Sequence, residues 1–279
     1  MAIKAIRKTG KPTRTTVKTI GAHSYAIPDI PARPRGSIVS QITTLCLIPV
    51  FLFRLFIHSV LMWLGPKSLK ESLLVRIIPA MMKNIENVTE NQRKLLLQHL
   101  HGRVLDIGSG AGSYFRFLKK KASHVVALEP VQKLHEQIRQ SASEAGLAPY
   151  QVTIAAETLE DYYARTADKA TFDWIILGNV LCEVADPLQT LQHIHELLKP
   201  GGHVYFCEHQ GCAVGTRARK IQDFMNPWWK TVSGGCNCNR HTLHAIEGMA
   251  DWEVVSWEFE NVQVLFGPMV MGLARKVEV

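Results

Sequence analysis

The sequence predicts an α/β domain with a mostly parallel sheet and an antiparallel closing strand, and three observations carry that prediction. From Arg103 to the C-terminus, strand-length apolar runs alternate with helix-like stretches, the pattern of a parallel sheet with crossover helices. The stretch RVLDIGSGAGSYFRFLKK sets an acid and three glycines between a strand signal and a helix signal. The last apolar runs, WEVVSWEFE and MVMGLARKVE, read as a closing strand pair.

The chain of 279 residues has room for one such domain and a modest appendage. Residues 1–36 form a basic arm rich in Thr and Pro. Eight Lys or Arg precede Gly36 against the single acid Asp29, so about +7 of the formal net charge of +8 lies there. The rest of the chain is nearly neutral, which argues against a nucleic-acid surface on the folded domain. Such an arm suits an anionic surface or a targeting peptide. Six cysteines in a chain this long do not make a disulfide scaffold, and a reducing compartment is the simpler reading.

Residues 37–65 form a hydrophobic segment, and its stretch 42–65, ITTLCLIPVFLFRLFIHSVLMWLG, is long enough to cross a bilayer. Arg54 and His58 share a helical face within it, and Pro49 would bend or break the helix. Basic residues lie on both flanks, so the charge rule gives no crossing direction. We expect membrane association through residues 42–65, by monotopic insertion or a single span, with the domain facing the cytosol. A mitochondrial transit peptide is the alternative, since the first 28 residues carry no acid. Residues 66–100 read as an amphipathic helical linker, and residues 101–279 as the α/β domain.

In chain order, Val104–Ile107 is the first strand, Gly108–Gly112 a turn, and Tyr114–Leu118 the opening of a helix. A phosphate-binding P-loop would end in Gly-Lys-Ser/Thr, which is absent. The spacing is G-x-G-x-G rather than the dinucleotide G-x-G-x-x-G, and Asp106 would repel a pyrophosphate. An acid there suits a cationic ligand without phosphate, and S-adenosylmethionine is one. The next strand, HVVALEP, ends at Glu129, 21 residues after Gly108, where an acid would accept ribose hydroxyls. The third strand, in QVTIAAETLEDY, delivers Ala156, Glu157 and Thr158 to where adenine would lie; Glu157 would accept from the adenine amino group or cap the next helix. FDWIILGNVLCEVADP is an apolar strand ending at Asn179, and LLKPGGHVYFCEH is a helix, a turn and a fifth strand ending at His209.

As an ordered set, VLDIGSGAGSY, ALEP, FDWIILGNVLCEV and LLKPGGHVYFCEH resemble the motifs of class I S-adenosylmethionine-dependent methyltransferases, whose domain is Rossmann-like. The resemblance covers about residues 100–279. More narrowly, the apolar segment before the domain, VLC at 180–182, EH at 208–209, and NPWW…GGCN followed by Arg240 resemble the methyltransferase-like 7 group, membrane-bound thiol S-methyltransferases of animals. That resemblance implies methyl transfer to a small lipophilic acceptor, most naturally a thiol, at the endoplasmic reticulum or lipid droplets. Methylation at O or C of a secondary metabolite or quinone-like lipid is an alternative, and a non-catalytic membrane protein using the fold for binding is another. The sequence departs from the group in its long basic arm, in Glu129 where Asp is usual, and in CNCNRH where one cysteine is usual.

The expected cofactor-binding residues are Asp106, Gly108, Ser109, Gly110, Gly112, Glu129, Pro130, Ala156, Glu157, Thr158, Asn179 and Val180. The expected acceptor pocket draws on Cys182, Phe224, Trp228 and Trp229, the last three from the insertion after the fifth strand. His209 is the expected base, because histidine titrates near neutral pH; Glu208, pointing to the other face of the strand, would hold the loop. Cys236, Cys238, His241 and His244 have a spacing open to zinc but lack the usual C-x-x-C gap, and no metal is expected.

Overall fold

The structure, a computed structural model, describes residues 18–20, 23–25, 55–260 and 268–277. It forms two compact units, Met1–Ile57 and His58–Val279. In the first, β1 (Lys18–Ile20) pairs antiparallel with β2 (His23–Tyr25), so the basic arm carries a short hairpin that its composition does not suggest. The expected membrane segment lies mostly outside the described residues, which pick it up as a helix, α1, at residues 55–64. Among the described residues no helix is long and apolar enough to cross a membrane.

The second unit is built on one sheet of seven strands in the order β5-β4-β3-β6-β7-β9-β8. The strands are β3 (Gly102–Ile107), β4 (Ala122–Leu128), β5 (Val152–Ala155), β6 (Phe172–Gly178), β7 (Leu198–His209), β8 (Trp252–Glu260) and β9 (Met269–Lys276). Pairings from β5 through β7 are parallel, and β9 enters antiparallel between β7 and β8. The sequence expectation of a mostly parallel sheet closed by an antiparallel pair therefore holds. The central strands are buried on both faces and read as continuous apolar runs, as parallel strands do.

Residues 66–100, expected as an amphipathic helical segment, hold α2 (Lys67–Leu96), one helix of 30 residues in the same compact unit as the sheet. Its end is tied down because Ile85, Leu97 and Leu100 are buried in the same core as Phe115, Phe117 and Leu118. The helix expected at Tyr114–Leu118 is instead a 3₁₀ turn, Phe115–Phe117. Burial of both its phenylalanines, with Tyr114 edge-on to Tyr205 at 5.4 Å, fixes that short segment against the sheet.

The remaining helices are α3 (His135–Glu144), α4 (Leu159–Arg165), α5 (Pro187–Leu197), α6 (Arg217–Val232) and α7 (Thr242–Glu247). Their starts follow local chemistry: Thr158, Asp186 and Thr216 each cap the helix they precede with a side-chain oxygen. The register brings strand ends level. Ile107 pairs with Leu128 and with Leu177, Leu128 with Ala155, and Gly178 with Cys207. The residues just past these positions therefore gather along one carboxyl edge, where ligands of open α/β sheets bind.

Candidate active site

At that edge lies a cavity of about 940 Å³, large for a single small molecule. One side is made by the turn after β3. Gly108, Gly110 and Gly112 all have positive φ, which costs a residue with a side chain and costs glycine nothing. At Gly108 the need is also spatial, since a Cβ would come to 3.0 Å from Val180 Cγ2. The Gly110 amide donates to Glu129 Oε2 at 2.9 Å, and the Val131 amide donates to Oε1 at 2.8 Å. The acid ending β4 thus clamps the turn that follows β3. Burial raises its pKa, while those two amides oppose the rise.

Most of the expected cofactor residues line this side: Gly108, Ser109, Gly110, Gly112, Glu129, Pro130, Glu157, Thr158, Asn179 and Val180. Two do not. Asp106 is buried beneath the turn rather than facing the cavity, and burial pushes its carboxyl up to about 7. Ala156 is also absent from the lining. Glu157 lines the cavity but does not cap α4; that is done by Thr158, while Glu157 pairs with Arg165 at 2.7 Å. Asn179 is one of few non-glycine residues with positive φ, a conformation that clusters at functional sites.

The opposite side is made by Val180–Asp186, His209 and α6 with the loop after it. Glu208 is fully buried, and its Oε1 accepts the Val180 amide at 2.8 Å, with the Leu181 and Cys182 amides also directed at the carboxyl. It holds the loop, as expected from its position on the far face of β7. Burial pushes its pKa up to about 8. Arg240 closes the same loop from outside, donating to the carbonyls of Leu181 and Val184.

His209 faces the cavity, and its Nδ1 lies 3.3 Å from Cys236 Sγ. Cys182, His209 and Cys236 each offer one donor atom within 4.8 Å of the others. Cys182 and His209 both draw the Cys236 thiol down from its ordinary range against the effect of burial, and Cys182 is raised in return. Cys236, Cys238, His241 and His244, whose spacing left zinc open, do not form one donor cluster among the described residues. Cys238 Sγ instead donates to Asn226 Oδ1 at 3.4 Å, and His241 lies between Arg219 and Gln210.

Of the expected acceptor residues, Cys182 and Trp229 line the cavity. Phe224 and Trp228 do not. Phe224 is 82% exposed, on the outer face of α6, and Trp228 donates to Ser59 Oγ of α1 at 3.1 Å. Helical spacing explains this: Trp229 and Val232 turn inward, Phe224 turns to solvent, and Trp228 packs at the edge of the Trp229 cluster without reaching the cavity. Sequence reasoning missed Tyr114, Glu183 and Ser233 in the lining. The first two lie within the motifs VLDIGSGAGSY and FDWIILGNVLCEV; Ser233 carries no sequence signal.

The chain matches the methyltransferase-domain family over residues 81–256. It belongs to that family. The chain is an S-adenosylmethionine-dependent methyltransferase of class I, and a rat relative, thiol S-methyltransferase TMT1B of Rattus norvegicus, is 30% identical over 175 residues, 62% of this chain and 70% of the relative. A ubiquinone biosynthesis O-methyltransferase of Vibrio parahaemolyticus is 34% identical over a shorter 104 residues, 37% of this chain and 42% of that protein. Among solved structures, the N-methyltransferase NodS of Bradyrhizobium japonicum with S-adenosyl-L-homocysteine superposes with a TM-score of 0.50 at 14% identity, covering 72% of this chain and 87% of that one. That likeness concerns the fold. The methyltransferase's own residues fit the cofactor: a turn with glycine at alternate positions, an acid just past β4 on the cavity wall, and no basic phosphate-binding lysine in the turn.

Proposed function

We propose that this methyltransferase methylates the sulfur of a small lipophilic thiol. The observation that carries this reading is the cavity wall opposite the glycine turn, where Cys182, His209, Cys236 and Trp229 meet. Trp229 and the apolar part of the wall suit a lipophilic body. The thiol relative at 30% identity over most of its length supports the same acceptor class.

S-adenosylmethionine supplies an electrophilic methyl group on a sulfonium. The residues of the chain do the rest by positioning and proton handling. Glu129 fixes the turn by which the cofactor is held, and Glu208 and Arg240 fix the loop that carries Asn179 and Cys182. His209 accepts the acceptor's proton when no other group does. A thiol near pKa 8.5 is already a few per cent thiolate at pH 7, so little help is needed; a hydroxyl needs far more.

Attachment to a membrane through residues 42–65, with the domain on the cytosolic side, belongs to the same reading. His58 Nε2 lies 3.0 Å from the Val232 carbonyl, and Trp228 Nε1 donates to Ser59 Oγ at 3.1 Å, so this stretch contacts α6. One turn further along, Trp63 on α1 and Phe224 on α6 are 72% and 82% exposed. An apolar rim that continues an apolar segment favours a lipid surface.

The test is a labelled methyl donor offered with a panel of alkyl and aryl thiols, their alcohol and phenol counterparts, and a membrane lipid extract. Methyl thioethers as the dominant products support the reading. Methyl ethers or C-methylated quinones in their place would overturn it.

A further inference from the structure

We propose that Cys182, His209 and Cys236 form a binding site for a thiophilic divalent cation, zinc in chemical class, whose open fourth position receives the acceptor thiol. The inference rests on the thiol reading above for its acceptor but not for the site itself.

The donors come from three distant places in the chain: the loop after β6, the end of β7 and the loop after α6. The fold brings two soft sulfurs and an imidazole nitrogen together at a cavity surface, all within 4.8 Å. Tetrahedral zinc, with bonds of about 2.3 Å to sulfur and about 2.0 Å to nitrogen, sets its ligand atoms roughly 3.5–3.8 Å apart. The distance of 3.3 Å between Cys236 Sγ and His209 Nδ1 needs only a small relaxation to that value.

Each donor is held by its main chain. Two groups of Asn237, its amide at 2.7 Å and its Nδ2 at 3.1 Å, donate to the Cys182 carbonyl. Thr242 Oγ1 donates to the His209 carbonyl at 2.6 Å, and the Cys236 amide donates to Ser233 Oγ at 3.2 Å. Such anchoring keeps ligands from turning away and is the support that metal sites need. Glu183 packs against Gly235, next in the chain to Cys236, and lines the same cavity.

Three protein ligands are what catalytic zinc uses; a structural site would close with a fourth. Here the missing side is the cavity shared with the glycine turn. A thiol entering it loses its proton to the surrounding buffer and binds through sulfur as a thiolate. The cation then does what His209 does in its absence, and His209 serves as a ligand.

The test uses the full chain, reduced with a phosphine, freed of metal by a chelator and titrated with cobalt(II) alone and then zinc(II). The expected result is one equivalent of cobalt with the visible bands of tetrahedral thiolate coordination, displaced by zinc and altered by a small alkyl thiol. Cys182→Ser, Cys236→Ser and His209→Gln should each weaken cobalt binding at least ~100-fold, while Cys238→Ser leaves it unchanged. S-adenosylhomocysteine calorimetry on every variant reports folding. Absent bands in the wild type overturn the proposal, as do bands that survive in the Cys182→Ser/Cys236→Ser double variant. A native Cys182–Cys236 disulfide that persists in the phosphine also overturns it. If cobalt binds in the wild type but the alkyl thiol leaves its bands unchanged, the thiol reading fails and the metal site stands.

Discussion

The two sides of the cavity are built in different ways. The cofactor side is a local construction: one turn of five residues, Gly108–Gly112, and one acid that clamps it. The acceptor side is assembled from residues more than fifty positions apart, Cys182 and Cys236 among them, and held by buried supports such as Glu208 and Arg240. Backbone geometry fixes what the first side binds, whereas side-chain choice fixes the second. A family can therefore keep one donor and change acceptors.

This division makes sharp expectations for variants. On the acceptor side, His209→Ala should lower turnover at pH 7 in chelator-treated protein by up to roughly 30-fold on a thiol, whose few per cent of thiolate reacts without a base, and by about 10²–10⁴-fold on a hydroxyl. Affinity for S-adenosylhomocysteine should stay within about twofold, because the ring faces the other compartment. With a thiol acceptor, much of the activity should return near pH 9; with a hydroxyl acceptor the loss should persist. Wild-type turnover at every pH would remove His209 from the chemistry.

On the cofactor side, Gly110→Val forces a β-branched residue to a φ of 57° beside the ligand, so affinity should fall at least ~100-fold by calorimetry. Glu129→Ala removes a charged acceptor and leaves the Gly110 and Val131 amides without it. A loss of about ten- to a hundredfold is expected, from roughly 1.5–3 kcal/mol. Both variants should keep the cobalt spectrum. If either destroys it, the two sides are not separable.

A smaller effect concerns Asp106. Its folded pKa of about 7 lies above the unfolded value near 3.9, so the unfolded chain releases this proton first as pH rises. Stability from this group is therefore full below about pH 4, falls as pH rises toward 7, and is level above that. Asp106→Asn should flatten the fall in melting temperature between pH 5 and 8, and melt a few degrees higher at pH 8. An unchanged slope would mean that the carboxyl is not held neutral. The smallest effect is expected of Phe224→Ser: turnover on a water-soluble thiol within about twofold of wild type, since the ring is 82% exposed, with weaker vesicle binding as its only consequence.

The same contrast explains what could be read in the sequence. Strand, acid, glycine turn and terminal acid follow one another in the chain, so β3, β4, the turn and Glu129 are legible from order alone, whereas the Gly110 amide donating to Glu129 shows only in the fold. The sequence shows an acid near a turn but not that the Asp106 carboxyl lies beneath it. Spacing along the chain sets Cys236 beside Cys238, His241 and His244, whereas its partners, Cys182 and His209, become neighbours only after the sheet forms. The onset of α6 at Arg217 sets the helical phase that separates Phe224 and Trp228 from Trp229, and the aromatic residues themselves do not mark it. The 3₁₀ turn at Phe115–Phe117 replaced a helix because burial of both rings outweighed propensity.

The two sides touch where Val180 abuts the space above Gly108, close enough that a single added carbon would crowd it. Val180 rests in turn on Glu208 through its amide. A displacement of that loop by an incoming acceptor is therefore a displacement of the cofactor's seat. Thermodynamic linkage makes such an influence reciprocal: whatever factor the acceptor adds to cofactor affinity, the cofactor returns to the acceptor. With a buried valine as the shared wall, Val180→Ala, which removes both γ-methyls, should weaken that coupling, read as a smaller change in S-adenosylhomocysteine affinity when a thiol is added.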